Sequence, residues 1–363
     1  MAAFTRWAHS LSESDPLLPV DAVLLASFGG PQGPDDVMPF LRNVTAGRGI
    51  PDERLVEVSK HYQHFGGVSP ITSQNEALIE AIKIELAARG HDLPVYFGNR
   101  NWSPYVTDAV AAMSADGINH AAVLATSAAS SYSGCRQYRQ DLAAASAKVA
   151  ATGAPVPRLT KIRHYFDHPG FIEANVDAVR AALGQLPEAA RESARLVFTA
   201  HSIPESMNAS SGPSGGLYLT EQQATARLVA ERIRGTGAEF DLVWQSRSGP
   251  PQVPWLTPDI NDHLRELAQA GTTAVVVAPT GFISDHIEVL WDLDNEAAET
   301  AAELGLQFAR AATAGTHPAF VAGCVDLIEE LLIAGPPRQL SELGLCGVDC
   351  PADCCPAPVR RAN

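Results

Sequence analysis

Two places in the chain gather side chains able to handle a metal ion. The first is "GFISDHIEVLWDLDNE", Gly281 to Glu296, which carries Asp285, His286, Glu288, Asp292 and Glu296. On a helix, Glu288, Asp292 and Glu296 stand at i, i+4 and i+8 and share one face. Like charges so spaced repel by roughly 0.2–0.5 kcal/mol per pair. A solvated helix face tolerates that cost. A ladder of carboxylate oxygens is also what a divalent cation needs when it moves by exchange between weak sites. His201, in "VFTAHSIPESM", ends an apolar run that Pro204 keeps from continuing. A neutral imidazole there accepts a proton near neutral pH, binds a metal, or serves only as a structural hydrogen-bonding group. With Glu288 it would make a two-sided site, a base facing a metal-handling carboxylate. The second place is the tail, where Cys346, Cys350, Cys354 and Cys355 account for four of the six cysteines. In a chain of this size such clustering argues for a metal or cluster site over disulfides.

Alternating strand and helix signals must position these groups. Short apolar runs at 21–28, 93–99, 120–127, 158–165, 194–202, 240–246 and 272–279 are separated by amphipathic helices such as "QNEALIEAIKIELAARG" and "LTEQQATARLVAERIR". That alternation predicts an α/β fold with parallel sheets covered on both faces. The pattern restarts near the linker-like "ATGAPVPR", which predicts two similar halves: a leader over 1–20, an N-terminal half over 21–155, a C-terminal half over 156–336 and a Cys-rich tail over 337–363. Ligands of open parallel sheets sit at the carboxyl ends of strands, which is where His201 and the acidic segment fall.

Composition narrows the function. A net charge of −15 repels nucleic acid and anionic membrane surfaces. No apolar run reaches bilayer length and no secretory signal opens the chain, so a cytoplasmic location is expected. Loops at the predicted strand ends supply Phe28, Tyr62, Phe65, Trp102 and Trp255, flat apolar faces that either pack ordinarily or line a wide cleft for a large, flat, partly polar ligand. Arg48, Ser69, Gln74 and Arg100 are candidates to hold carboxylates at its rim. No G-x-G-x-x-G leads from a strand into a helix, which speaks against a dinucleotide.

Together, "LLASFGGPQGPDDVMPFLRNVTAGRGIP", "HYQHFGGVSPI", "VYFGNRNWSPY", "FTAHSIP", "WQSRSGPPQVPWLTPD" and "GFISDHIEVLWDLD" resemble the ferrochelatases, and in particular the actinobacterial coproporphyrin ferrochelatases. The resemblance runs from about residue 20 to residue 335. It implies two Rossmann-like, chelatase-type halves with a cleft between them, and insertion of Fe(II) into coproporphyrin III with release of two protons. His201 then matches the family's essential histidine and Glu288 the opposing glutamate, while Asp292 and Glu296 match an acidic line proposed as a metal path. Phe28, Arg48, Ser69, Trp102, Tyr132 and Trp255 are expected to bind the porphyrin. Firmicute relatives carry a tyrosine where this chain has Phe28, so an oxygen contact to product iron does not carry over.

The tail resembles that of relatives holding a [2Fe-2S] cluster on one internal and three C-terminal cysteines. The resemblance implies Cys135, Cys346, Cys350 and Cys355, with Cys354 in reserve; a zinc site or free thiols are the alternatives. Cys324, in an apolar helix, reads as core. Protoporphyrin IX is the second substrate, a cobalt or nickel chelatase a further enzyme reading, and a non-catalytic tetrapyrrole carrier or redox sensor the reading from another class. A soluble monomer with no transmembrane segment is expected.

Overall fold

The computed structural model describes residues 19–47, 49–249, 251–346, 350–351 and 353–358. The apolar runs form two four-stranded, wholly parallel sheets. The first holds β1 (Ala22–Ser27), β2 (Val95–Asn99), β3 (His120–Ala125) and β4 (Arg158–Lys161) in the order β2-β1-β3-β4. The second holds β5 (Arg195–His201), β6 (Asp241–Gln245), β7 (Ala274–Ala278) and β8 (Gln307–Arg310) in the order β6-β5-β7-β8. The two orders are the same pattern, so the halves are alike in topology. β1 and β3 are buried along their whole length, as is β7, because helices cover both faces of each sheet.

Two elements depart from the sequence reading. Arg158–Lys161, read as opening the second half, pairs with β3 from His120↔Arg158 to Val123↔Lys161 and closes the first sheet. A strand's apolar pattern reports burial but not which neighbour it pairs with. β8 was not expected at all; it is a short edge strand of sequence "QFAR" whose outer residues are polar.

The chain also crosses back at its end. Helix Pro318–Leu332 packs its Phe320, Val325 and Ile328 into the apolar cluster of the first sheet, with Val23, Leu25 and Ile82. Arg89 fastens it, reaching Asp326 at 2.6 Å and Glu329 at 2.9 Å. The two halves are thereby held as one body, with the carboxyl ends of β1 and β5 carrying Phe28 and His201 at corresponding places.

Candidate active site

His201 is the last residue of β5. Its Nδ1 lies 2.5 Å from the carbonyl oxygen of Ser202. A carbonyl only accepts, so Nδ1 carries the hydrogen, and in the neutral ring the lone pair sits on Nε2. Nε2 stands 3.7 Å from Oε2 of Glu288. Both side chains keep solvent access, 36% and 49% of their surface, so a ligand can reach either. The two groups named from sequence as opposing partners are thus brought face to face. Gly281 makes this possible: the loop after β7 crosses so close to β5 that a Cβ there would lie 2.5 Å from that of Ala200.

The acidic segment is helical but not as an α-helix. A short α-turn, Ile287–Val289, leads into a π-helix over Leu290–Ala297, and α-geometry resumes over Ala298–Glu303. The reason is legible in its burial. Val289, Leu293, Ala297 and Ala301 are the fully buried positions, a strict period of four. On an α-helix with about 3.6 residues per turn such a stripe drifts by about 40° per step; the wider π-turn offsets that drift. Glu288, Asp292 and Glu296 run one residue ahead of the stripe and form a line beside it. π-segments recur at functional sites.

Asp292 is the most perturbed of the three. Burial, with Glu288 and Glu296 adding, lifts its carboxyl to about 7 against the hydrogen bonds from Ser246 and Gln245. Gln245 Nε2 donates to Oδ2 over 3.2 Å, and its own oxygen is fixed by Thr199 Oγ1 at 2.8 Å. The Ser246 hydroxyl donates to the same Oδ2. Sequence reading passed over Gln245 and Ser246, although they stand at a strand's carboxyl end. Glu296 is exposed and accepts from Trp291 Nε1 at 2.8 Å. Trp291 in turn stacks on His61, with ring centroids 3.9 Å apart and planes 6° from parallel, so the first half's helix Asp52–His64 braces the acidic line. Asp285 and His286, in contrast, are structural. Arg310 pairs with Asp285 at 3.1 Å, and His286 Nδ1 caps the α-turn by accepting from Val289 N.

The aromatic wall faces this line. Phe40 gathers Phe28, Tyr62 and Trp102 with centroids 6.3, 5.9 and 6.1 Å away, and the cluster closes on Ile287, next to Glu288. Phe65 packs at the margin of this cluster. Phe28 is exposed and Trp102 half-buried. Trp255 lies on a loop bound across the His201 turn, where Leu256 N donates to Ile203 O at 3.0 Å; its indole Nε1 has no partner among the described residues. Tyr132 packs with Ile203 and Met207, its hydroxyl on Gln140 at 3.0 Å. Ser69 is buried beneath Gly30. Arg48 lies outside the described residues. Two rim expectations are corrected. Gln74 Oε1 accepts from Asp285 N at 2.8 Å, and Arg100 is buried against Asp141 at 2.6 Å and over the Tyr138 ring at 4.6 Å. Both are candidates for a rim in the sequence because loop residues there do not show their long-range partners. The recess of 630 Å³ bounded by Ala224, Phe240 and Leu343 lies toward the opposite end of β6, away from His201.

The ferrochelatase family model matches residues 20–332. The chain belongs to the ferrochelatase family. It is 56% identical to the coproporphyrin III ferrochelatase of Nocardia farcinica, over 94% of this chain and 98% of that one. It is 59% identical to the coproporphyrin III ferrochelatase of Mycolicibacterium smegmatis, over 88% and 92%. Among solved structures, the sirohydrochlorin chelatase SirB from Bacillus subtilis subspecies spizizenii, crystallised with cobalt, aligns over 86% of this chain and 95% of its own at a TM-score of 0.50 and 13% identity. That likeness shows the fold. No described helix is long and apolar enough to cross a membrane.

In this ferrochelatase-family chain the cysteine tail lies beyond residue 332, where the family match ends, yet it is docked on the first half. Arg136 Nε donates to Cys354 O at 2.5 Å and Nη2 to Pro351 O at 3.1 Å, while His164 N donates to Cys346 O at 2.9 Å. Cys135, in a second π-segment, Tyr132–Arg136, is buried beside this tail. The tail thiols are linked in sequence order, since Cys350 meets both Cys346 and Cys354. Cys350 holds the Cys346 thiol below its usual range, and Cys354 Sγ lies 3.8 Å from Cys355 Sγ. Among the described residues no three His, Cys, Asp or Glu side chains converge to hold one ion, here or at His201. Cys324 is in the core, as expected.

The surroundings favour an anionic centre. Lys161 is buried, donates only to Ile162 O at 3.1 Å, and makes no ion pair among the described residues. Burial and the nearby Arg139 lower its pKa; the thiols of Cys135, Cys350 and Cys346 oppose them. Both ring nitrogens of His164 are buried and, among the described residues, the group that meets the ring is the Cys135 thiol. A buried amine beside another cation is costly to charge unless an anion accompanies it. A centre carrying four thiolates is such an anion, and soft sulfur donors suit iron. In donor type and in charge, the residues present fit the group.

Proposed function

We infer that the protein inserts ferrous iron into coproporphyrin III, releasing two protons, in haem biosynthesis. The observation that carries this is the His201 Nε2 lone pair facing Glu288 at 3.7 Å, in a chain 56% identical to a coproporphyrin III ferrochelatase over nearly its whole length. The reaction exchanges two pyrrole N–H protons for one dication, so the site must both take up protons and supply metal. His201 Nε2 accepts a pyrrole proton, and Glu288 stabilises the imidazolium that results. Glu288, Asp292 and Glu296 offer successive oxygens for partly hydrated Fe(II), which exchanges waters stepwise along them. The wall of Phe28, Trp102 and Trp255 holds the macrocycle, with Tyr132 beside it; Ser69, buried beneath Gly30, does not reach it.

Cys135, Cys346, Cys350 and Cys355 would hold a [2Fe-2S] cluster. The Gly212 N–H aimed at Cys355 Sγ over 3.1 Å supports Cys355 over Cys354, since a backbone donor stabilises a thiolate. Such a cluster supplies a one-electron redox centre and a cross-link between tail and body. The protein acts as a cytoplasmic monomer in this reading.

The test is anaerobic absorbance spectroscopy with Fe(II) and each porphyrin in turn. Conversion of coproporphyrin III at a kcat/KM above that of protoporphyrin IX is expected. The reverse preference overturns the substrate, and tight binding without insertion into either overturns the enzyme in favour of a carrier.

A further inference from the structure

The helix Leu217–Arg234 touches His201, and the turn that leads into it touches Cys355. The hydroxyl of Tyr218, a buried residue, donates to the carbonyl oxygen of His201 over 2.8 Å. Its ring packs on Trp244, centroids 5.8 Å apart, and Trp244 precedes the Gln245 that holds Asp292. Just upstream, Gly212 N–H points at the Cys355 sulfur. The turn between is tightly bonded. Ser211 Oγ accepts from Tyr218 N at 2.9 Å and donates to Asn208 O at 2.6 Å, and Leu219 N donates to Asn208 Oδ1 at 3.1 Å. Three hydrogen bonds therefore run from Cys355 Sγ, through Gly212, Ser211 and Tyr218, to the backbone of His201.

We propose that Tyr218 is a positioning residue for His201, and that this turn ties the imidazole's placement to the metal-bound state of Cys355. The proposal rests on the cluster reading above. A metal-bound thiolate is a stronger acceptor for Gly212 N–H than a neutral thiol, so an assembled cluster holds the turn still. A bare thiol releases it. The His201 carbonyl then loses its fixed partner, and the imidazole, aligned through Ser202 on the same short stretch, loses its aim at Glu288. Coupling of this kind is reciprocal: what binds at His201 must be felt at the cluster.

The experiment compares the full-length protein and Tyr218→Phe, each before and after chelator removal of the cluster. Iron and sulfide content, melting temperature, and the pH profile of metal insertion are measured, with the electron paramagnetic resonance (EPR) spectrum of the reduced cluster with and without coproporphyrin. Tyr218→Phe keeps iron and sulfide, and the lost hydrogen bond lowers the melting temperature by only about 2–3 °C. The variant loses about fivefold to tenfold in kcat, the worth of one buried hydrogen bond, at unchanged porphyrin KM. Its pH profile is displaced. Removing the cluster displaces the wild-type profile in the same sense but adds nothing in the variant. Porphyrin changes the cluster's EPR spectrum in the wild type and not in the variant. Superimposable pH profiles for variant and wild type refute the positioning role. Additive effects of mutation and cluster removal refute the link while leaving that role. Wild-type protein isolated anaerobically without iron or sulfide refutes the cluster reading and with it the link, and the kinetics of Tyr218→Phe still decide the positioning role.

Discussion

Asp292 carries a charge that its own surroundings disfavour, and Asp292→Asn removes that charge at constant shape. Burial, with Glu288 and Glu296 adding, lifts the carboxyl from an ordinary 3.8 to about 7. Between those values the folded protein binds more protons than the unfolded chain, so stability falls as pH rises through the window and is flat above it. The gap sets a ceiling of about 4 kcal/mol lost at pH 8 and about 1.5 kcal/mol at pH 5. Asn has no such term. The variant is therefore expected to gain on the wild type by roughly 2–3 kcal/mol between pH 5 and pH 8. At about 2 °C per kcal/mol for a large domain, the difference in melting temperature widens by about 5 °C. Differential scanning calorimetry without added metal, at several pH values, reads this directly. Metal insertion should slow in the same variant, the pattern of a residue kept for function at a cost in stability. Melting curves that stay parallel for variant and wild type across the range would refute the reasoning, because Asp292 would then titrate like an exposed carboxylate.

Other perturbations test separate parts of the account. Glu288→Gln keeps the shape opposite His201 but not the charge; kcat should drop by about 10² or more with porphyrin KM little changed, and a drop confined to KM would make Glu288 a binding group. Gly67→Ala forces a Cβ to 2.4 Å from the Pro34 backbone at a φ of +75°, so a loss of roughly 2 kcal/mol or more is expected in urea unfolding, and an unchanged midpoint would contradict the close approach. Lys161→Met removes the buried cation beside the thiols; reducing an anionic cluster becomes harder, and potentiometric titration should show a lower midpoint potential, whereas an unmoved potential would mean that the lysine does not face the cluster.

The opposition of His201 and Glu288 was legible in sequence because each follows an apolar run, and open parallel sheets bring strand ends together. The two-half architecture was legible for the same reason. The π-winding went unread, although its signal was present: the buried stripe Val289, Leu293, Ala297 and Ala301 and the acidic line beside it both repeat strictly every four residues. The sheet membership of Arg158–Lys161 had no local signal, since pairing is a long-range choice. Gln74 and Arg100 show the same limit. Their polar types suited a rim, but each is committed to a partner far away in sequence, Asp285 and Asp141. The bracing of Trp291 by His61 likewise joins residues from opposite halves.

The most direct measurement of the central claim separates binding from chemistry at His201. His201→Ala is mixed anaerobically with coproporphyrin III and Fe(II), with porphyrin binding followed by fluorescence and insertion by absorbance. The account predicts porphyrin affinity within a few-fold of the wild type and no insertion above the uncatalysed rate. Insertion at a wild-type rate by His201→Ala would contradict it.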